Sequence, residues 1–420
     1  MASAPHNGTP TRVVDSFREA RPPGCASATL PFTPDIDSWG STDEKRGTVA
    51  QIVIVQPYVP AYRSALFSEL GRRLRSNGHE LVIVSGEPDL EQRERQDSVE
   101  LSSVQHRIFR TRSLQIGSAK IRTAPGRSAW ATADAVVVEL AAGAIYSYRA
   151  LLSSTPTAVW GHVGSYVNRD SFASRALRTW QVRRADAVLA YTPSGGDLAI
   201  AFGADPAKVS VLGNTSDTDA LRGAVLAARE QSEEDLREEL GIGAGPYFAV
   251  IGGLDASKRV DLLASTLDCL WRRSSPARFV VAGRGHLEHL LDPAVKRMQI
   301  RSIGYAGNRE KAIMARLCTG IFNPGRVGLI APESFALGLP IVTAESPFHA
   351  PEFEYLRPGV DSIVTSDSPE ALADALDDLM ARPREADRLA RAAEYRFGEY
   401  RFDDMVDRMQ RAIEQLIRLP

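Results

Sequence analysis

The stretch Pro324–Pro340, PGRVGLIAPESFALGLP, gathers residue types that can bind a phosphorylated ligand. Glycines space a loop, an apolar segment follows, and Glu333 stands at the head of a short helix-like run that Gly338-Leu339-Pro340 ends. Loop amides and a helix N-terminus favour a diphosphate. A carboxylate at the helix start can accept hydrogen bonds from a ribose diol. A nucleotide sugar carries both groups, so the combination suits a nucleotide-sugar site. The competing reading of Glu333 is a carboxylate that only complements the helix dipole. That is worth about 0.3–1 kcal/mol, against roughly 1.5–3 kcal/mol for each charged hydrogen bond to a diol.

Other loops carry further candidates. Gly252-Gly253-Leu254 follows an apolar run, and Lys258 lies just before the next helical segment, where an ammonium can reach a pyrophosphate as a point charge. Arg259 is a second cation beside it. Arg278–His289 reads as strand, Gly283-Arg284-Gly285, helix, which is part of a dinucleotide fingerprint without its third glycine. Earlier in the chain, Trp160-Gly161-His162 ends an apolar run. An imidazole there can orient or deprotonate an acceptor hydroxyl near neutral pH. In the loop Gln56–Arg63, Tyr58, Tyr62 and Arg63 are candidates to meet the acceptor. His349, Glu352 and Glu354 are further polar candidates. Each has a plainer alternative: a solvated loop charge, a histidine bonded to backbone, or a tyrosine or arginine that packs its loop.

The elements that position these residues alternate. Gln51–Gln56, Leu81–Ser85, Ala135–Glu139, Thr157–Trp160 and Ala187–Tyr191 are short apolar runs of buried-strand type. Tyr62–Asn77 places Leu66, Phe67, Leu70 and Leu74 at helical spacing before Gly78. Gly223–Glu239 has a charged helical pattern, and Gly241–Pro246 is a natural hinge. The alternation then restarts with Tyr247–Ile251, helix Val260–Arg273, Phe279–Ala282 and helix Leu287–Met298. Ile300–Ile303, Gly320–Phe322, Pro340–Thr343 and Ser362–Val364 are further strand candidates. Pro369–Ala381 and Arg401–Leu416 are amphipathic, the latter with Met405, Met409, Ile413 and Leu416 on one face. This predicts an α/β chain of two doubly wound, Rossmann-like parallel-sheet units facing across a cleft, with ligands at the carboxyl ends of the strands. The expected divisions are a disordered tail at 1–48, an acceptor-binding unit at 49–240, a nucleotide-sugar-binding unit at 241–400 and a C-terminal helix at 401–420.

Composition narrows the field. The chain has 420 residues, 44% hydrophobic and 24% charged, with a net charge of −2, which gives no broad electrostatic case for nucleic acid. Three cysteines without metal-type spacing argue for a reducing compartment and against a disulfide framework or a zinc site. With no signal-type leader and no spanning segment, a cytoplasmic location is expected. Ser171–Arg184 carries Arg175, Arg178, Arg183 and Arg184. A small basic cluster of this kind favours a solvated helix face, with contact to an anionic membrane as the alternative.

Several motifs in order, IVIVQPYVPAYRSALFSEL, WGHVGSY, RRADAVLAYTPSG, VLGNTSD, IGGLDASKRVDLL, FVVAGRGHLEHLL, the opening stretch and HAPEFEYLRPGVDSIV, resemble the GT-B glycosyltransferases, specifically the large family 4 of retaining enzymes. The resemblance spans residues 50 to about 400. It implies transfer of a sugar from a nucleotide donor to a hydroxyl of a glycan, a lipid-linked glycan or a small natural product, with UDP taken by analogy. It implies no protein nucleophile and no bound metal, and no DxD-like pair stands in a suitable loop. Lys258 would stabilise the departing diphosphate, Glu333 would hold the ribose, and Gly283 and Arg284 would line the nucleoside pocket. The amides from Gly325 through Arg326 and Gly328 to Leu329 would face the donor. His162, Trp160, Tyr58, Tyr62 and Arg63 would lie on the acceptor side, and the C-terminal helix would cross back onto the first unit. Two positions depart from the family pattern: Gly253 stands where an arginine is frequent, and Gly325 where the first of two glutamates is common. Arg259, Arg284 and Arg326 are candidates to replace the missing cation. The departures leave two rivals, a nucleotide-sugar epimerase and a non-catalytic nucleotide-sugar binder.

Overall fold

The computed structural model describes residues 49–88, 99–109, 112–116, 119–123, 130–166 and 171–419, so the expected tail at 1–48 lies outside the described residues. The chain enters the first sheet through β1 (Gln51–Gln56), β2 (Glu80–Gly86) and β3 (Gln105–Phe109). An antiparallel hairpin, β4 (Arg112–Ile116) and β5 (Ala119–Thr123), interrupts it before β6 (Ala135–Glu139), β7 (Thr157–Gly161), β8 (Ala187–Ala190) and β9 (Val209–Val211). The second sheet contains β10 (Tyr247–Ile251), β11 (Arg278–Ala282), β12 (Ile300–Gly304), β13 (Cys318–Phe322), β14 (Ile341–Ala344) and β15 (Ser362–Thr365).

The spatial orders are β3-β2-β1-β6-β7-β8-β9 and β12-β11-β10-β13-β14-β15, with parallel pairing throughout. Both sheets therefore reverse their winding beside their first strand, between β1 and β6 and between β10 and β13. A crevice opens at such a switch point, above the carboxyl ends of the strands. In the second sheet the two loops at that point are 252–259 and 323–329, which contain Lys258 and Gly325.

Burial on both faces explains why the apolar runs form strands. Ile52 to Val55 are all buried in β1, as are all five residues of β10. The helix Ser64–Ser76 lays Leu66, Phe67, Leu70 and Leu74 on the first sheet and ends before Gly78, whose φ of 81° an L side chain disfavours. The last helix, Phe402–Ile417, buries Met405, Met409, Ile413 and Leu416 in that same core, against residues of β1 and of Ser64–Ser76.

Three expectations are corrected. Gly223–Glu239 is two helices, Thr218–Arg229 and Glu233–Leu240, because Ser232 caps the second by accepting from the Asp235 amide at 3.1 Å. Leu287–Met298 splits into a tight turn at Glu288–Leu291 and a short helix Asp292–Lys296, since Pro293 has no amide to continue the first. Sequence reading also missed β3. Its mostly exposed QHRIF lacks an apolar run because it is an edge strand. Among the described residues no helix is long and apolar enough to cross a membrane.

Candidate active site

β10 ends at Ile251, and Gly252 follows with φ 128°, a backbone state suited to glycine. A Cβ on Gly252 would sit 3.1 Å from Cε of Lys258, so the bare backbone gives the lysine stem its path. Asp255 caps a single tight turn, Ala256–Lys258, by accepting from the Ser257 amide at 2.9 Å and the Ser257 hydroxyl at 2.6 Å. The Lys258 ammonium donates to the Arg326 carbonyl at 2.9 Å, and the Arg326 amide donates to the Ser257 carbonyl at 2.8 Å. These two bonds lace the switch-point loops together.

The lacing explains Gly325. A Cβ there would fall inside 3.0 Å, a separation that real Cβ atoms essentially never show, of the Cα, carbonyl carbon and oxygen of Lys258. No side chain fits unless one of the loops moves, so the family's first glutamate is excluded by the close approach of the lysine turn. Gly283 and Gly285 are tight for a related reason. A Cβ on either would collide with the backbone of Gly252 or Leu254. Their spacing records the packing of the loops after β10 and β11. Gly253 is less confined, with a Cβ position 3.1 Å from the Asp255 carboxylate.

Two of the five amides expected to face a donor are already taken. The Arg326 amide serves Ser257, and the Val327 amide donates to Nδ1 of His349 at 3.1 Å. Among the described residues the amides of Gly325, Gly328 and Leu329 have no partner, and the last two open the helix Ile330–Leu337. Glu333 lies in the first turn of that helix. Its carboxylate accepts from the Lys311 ammonium at 2.7 Å and from the Ser216 hydroxyl at 3.0 Å. A carboxylate has about four lone-pair sites, so room remains for a diol.

The candidate replacement cations diverge. Arg259, with φ 52°, pairs with Asp367 at 3.1 Å and Asp261 at 3.7 Å. Arg284 is exposed and lies along Gly304 at the end of β12. Arg326 is half-buried, and its charge acts on Lys258, His162, His349 and Glu352. Of the three, Arg326 is the one whose field reaches both sheets. Burial pulls the Lys258 ammonium down to about 8, with Asp255 and Glu333 opposing the shift and Arg326 adding to it.

Across the cleft, the turn Ala61–Arg63 carries the chain from β1 into its helix. Arg63 is 3% exposed, and its guanidinium lies 4.7 Å from the ring centre of Trp160, 5.2 Å from that of Tyr62 and 5.4 Å from that of Tyr191. A buried cation at a helix N-terminus opposes the helix dipole, so stability of the helix does not account for it. Arg63 Nη1, Trp160 Nε1 and His162 Nδ1 are all buried without a hydrogen-bond partner among the described residues. Tyr58 is half-buried and Tyr62 exposed.

His162 meets the edge of Tyr191 at 4.6 Å. Burial, followed by the charges of Arg326, Arg63 and Arg178, pulls its imidazole down to about 3. Such a ring is neutral at physiological pH and a weak proton acceptor. It can orient a hydroxyl, and the expectation that it deprotonates one near neutral pH is revised. His349 is structural: Nδ1 accepts from Val327, so Nε2 carries the proton and donates to the Ala344 carbonyl at 2.9 Å. Glu352 is buried, accepts from the Asn214 side-chain amide, and is pushed up by desolvation. Exposed Glu354 accepts from the Ser194 amide at 3.1 Å. Sequence reasoning did not single out Tyr191, Asn214, Ser216 or Lys311. The NTS run in VLGNTSD was the available signal, a cluster of polar residues directly after a strand.

Residues 65–220 match the sequence profile of Glycosyltransferase Family 4, and residues 245–382 match that of Glycosyl transferases group 1. The chain belongs to the family 4-like GT-B glycosyltransferases. The glycosyltransferase shares its fold with a glycosyltransferase from Rickettsia africae at 14% identity and TM-score 0.64, covering 89% of this chain and 100% of that one. HepE of Anabaena, solved with UDP-glucose, aligns at 13% identity and TM-score 0.62, covering 88% and 100%. Sucrose-phosphate synthase from Thermosynechococcus elongatus aligns at 12% identity and TM-score 0.62, covering 87% and 99%. A search of curated proteins by sequence finds no match to the glycosyltransferase.

Proposed function

We propose that this glycosyltransferase is a retaining enzyme that moves a sugar from a UDP-sugar to an acceptor hydroxyl. The observation that carries the reading is the meeting of Lys258, three unpartnered amides and Glu333 at the switch point of the second sheet. The diphosphate would lie against Lys258 and the amides of Gly328 and Leu329, with the ribose on Glu333. As the bond from the anomeric carbon to the diphosphate oxygen breaks, the acceptor oxygen bonds that carbon from the same face. Charge grows on the leaving oxygen, which takes up the acceptor hydroxyl's proton. Lys258, Arg326 and the helix N-terminus stabilise it without reorganisation. This reading assigns the cationic work to these side chains and invokes no metal. The acceptor would enter from the side of Tyr62, Trp160 and His162, and neutral His162 would align its hydroxyl. HepE binds UDP-glucose in the same fold, which supports a nucleotide sugar as donor.

The test is a thermal-shift panel of nucleotide sugars, followed by nucleotide release with each stabilising donor over an acceptor panel and NMR of the product's anomeric centre. Acceptor-dependent release with retained configuration is expected. Inversion would contradict the mechanism, and a second free nucleotide sugar formed without acceptor would favour epimerisation.

Two further results are expected. Glu333→Ala should weaken nucleotide affinity by about 10- to 100-fold in titration calorimetry, the loss of one or two charged hydrogen bonds. Lys311→Met removes the ion pair but keeps the carboxylate, so it should retain most of that affinity. The second concerns pH. Lys258 serves the leaving group only when protonated, so kcat/KM should fall as pH rises through about 8. Lys258→Arg should abolish that limb, because a guanidinium stays charged there. Folding responds in the opposite sense. The unfolded lysine, at its ordinary 10.5, binds the proton more tightly than the folded one. Lys258 therefore makes stability rise between about 8 and 10.5.

A further inference from the structure

The helices Ile145–Leu151 and Phe172–Arg184 lie side by side, joined by Tyr148 stacked on Trp180 at 5.5 Å. Together they carry five arginines and no acidic residue, although the whole chain holds 52 acidic residues to 50 basic. Arg178 is buried, which removes it from the expected basic face. Arg149, Arg175, Arg183 and Arg184 are exposed, and none pairs with a carboxylate among the described residues. The second helix also exposes large apolar side chains: Phe172 at 90% and Trp180 at 38% beside Arg175 and Arg183, and Leu177 at 44% further round the helix. A groove of about 390 Å³ runs along it, lined by Phe172, Arg175, Ala176, Thr179, Trp180 and Arg183. A solvated helix face, the plainer expectation, accounts for the arginines, and the stacking on Tyr148 accounts for Trp180, but Phe172 and Leu177 are left unexplained.

We propose that the face of Phe172–Arg184 docks on an anionic phospholipid surface. Exposed aromatic and aliphatic side chains enter the interface between headgroups and acyl chains, while the arginines meet lipid phosphates. Charge complementarity selects this occupant. A soluble polyanion would pair with the arginines but give Phe172 nothing apolar to enter, whereas an anionic bilayer offers phosphates and acyl chains together. The topology adds a consequence. The helix begins at Phe172, ten residues after His162 at the end of β7, so its first turn lies at the cleft end of the first sheet. Docking there brings the acceptor side of the cleft close to the bilayer. The docking surface stands apart from the donor assignment and is tested without catalysis.

The experiment is flotation of the full chain with vesicles of equal parts phosphatidylcholine and phosphatidylglycerol, and with vesicles of phosphatidylcholine alone. The protein should float with the anionic vesicles, less so as salt rises, and stay below with the neutral ones. Arg175→Glu with Arg184→Glu should lower partitioning about 100-fold or more. Phe172→Ser with Leu177→Ser should lower it about 10-fold or more. Both pairs change exposed positions, and unaltered melting curves will show that they fold. The proposal is overturned if the wild type fails to float, if it floats equally with neutral vesicles, if either double variant floats like the wild type, or if heparin in solution binds it while vesicles do not.

Discussion

Lys258→Ala is expected to lower kcat by about 10²- to 10³-fold, the scale of losing one preorganised donor at a developing anion. The reason lies in how the structure treats this side chain. Its stem runs over Gly252, and its ammonium ends on a backbone carbonyl, with the carboxylates of Asp255 and Glu333 only tempering a shift that burial dominates. Holding a half-buried ammonium that way costs stability, and under the proposed function the cost would be recovered when a dianionic leaving group arrives. Nucleotide affinity should fall less than kcat, because the amides of Gly328 and Leu329 and the Glu333 carboxylate remain. Steady-state kinetics with calorimetry on the same variant separates the two. A kcat within a few-fold of wild type would remove Lys258 from the mechanism.

Gly325→Ala should be nearly as damaging to turnover, although it adds one methyl group to a residue with no side chain to lose. That methyl has no space beside the Lys258 backbone. Either the 323–329 loop or the 255–258 turn must shift, which breaks the bonds that seat the ammonium. Overpacking of this kind costs about 1–3 kcal/mol of stability. A fall of a few degrees in Tm should therefore accompany a kcat loss of about 10²-fold, since small misplacements of a positioned charge are enough for that. Gly325→Glu, which installs the residue common in the family, should be worse still. If it raised activity, the close approach of the two loops would not describe the working enzyme.

Much of this architecture was legible because parallel strands buried on both faces are written as apolar runs. IVIV in β1 and YFAVI in β10 could be read directly, and their loops carried the glycines and Lys258. The edge strand β3 and the short β9 were not legible, since exposed or three-residue strands have no such run. Within the site, Glu333 and Lys258 announced themselves by position relative to a helix start. Lys311 and Ser216 could not, because they reach Glu333 from a helix and a loop remote in sequence. Gly325 was visible as a departure, but its cause was not. A glycine forced by backbone contact 67 residues away leaves no local pattern. Arg63 was visible as an arginine near a helix start, while its burial among three aromatic rings, contrary to the helix dipole, needed the fold to appear.

The central assignment is that the leaving diphosphate rests on Lys258 at the β10/β13 switch point. A crystal structure of the enzyme with the nucleoside diphosphate of its stabilising donor tests it most directly. The terminal phosphate should accept from the Lys258 ammonium within about 3.2 Å, with the ribose diol on Glu333. A diphosphate bound elsewhere, with Lys258 still seated on the Arg326 carbonyl, would contradict it.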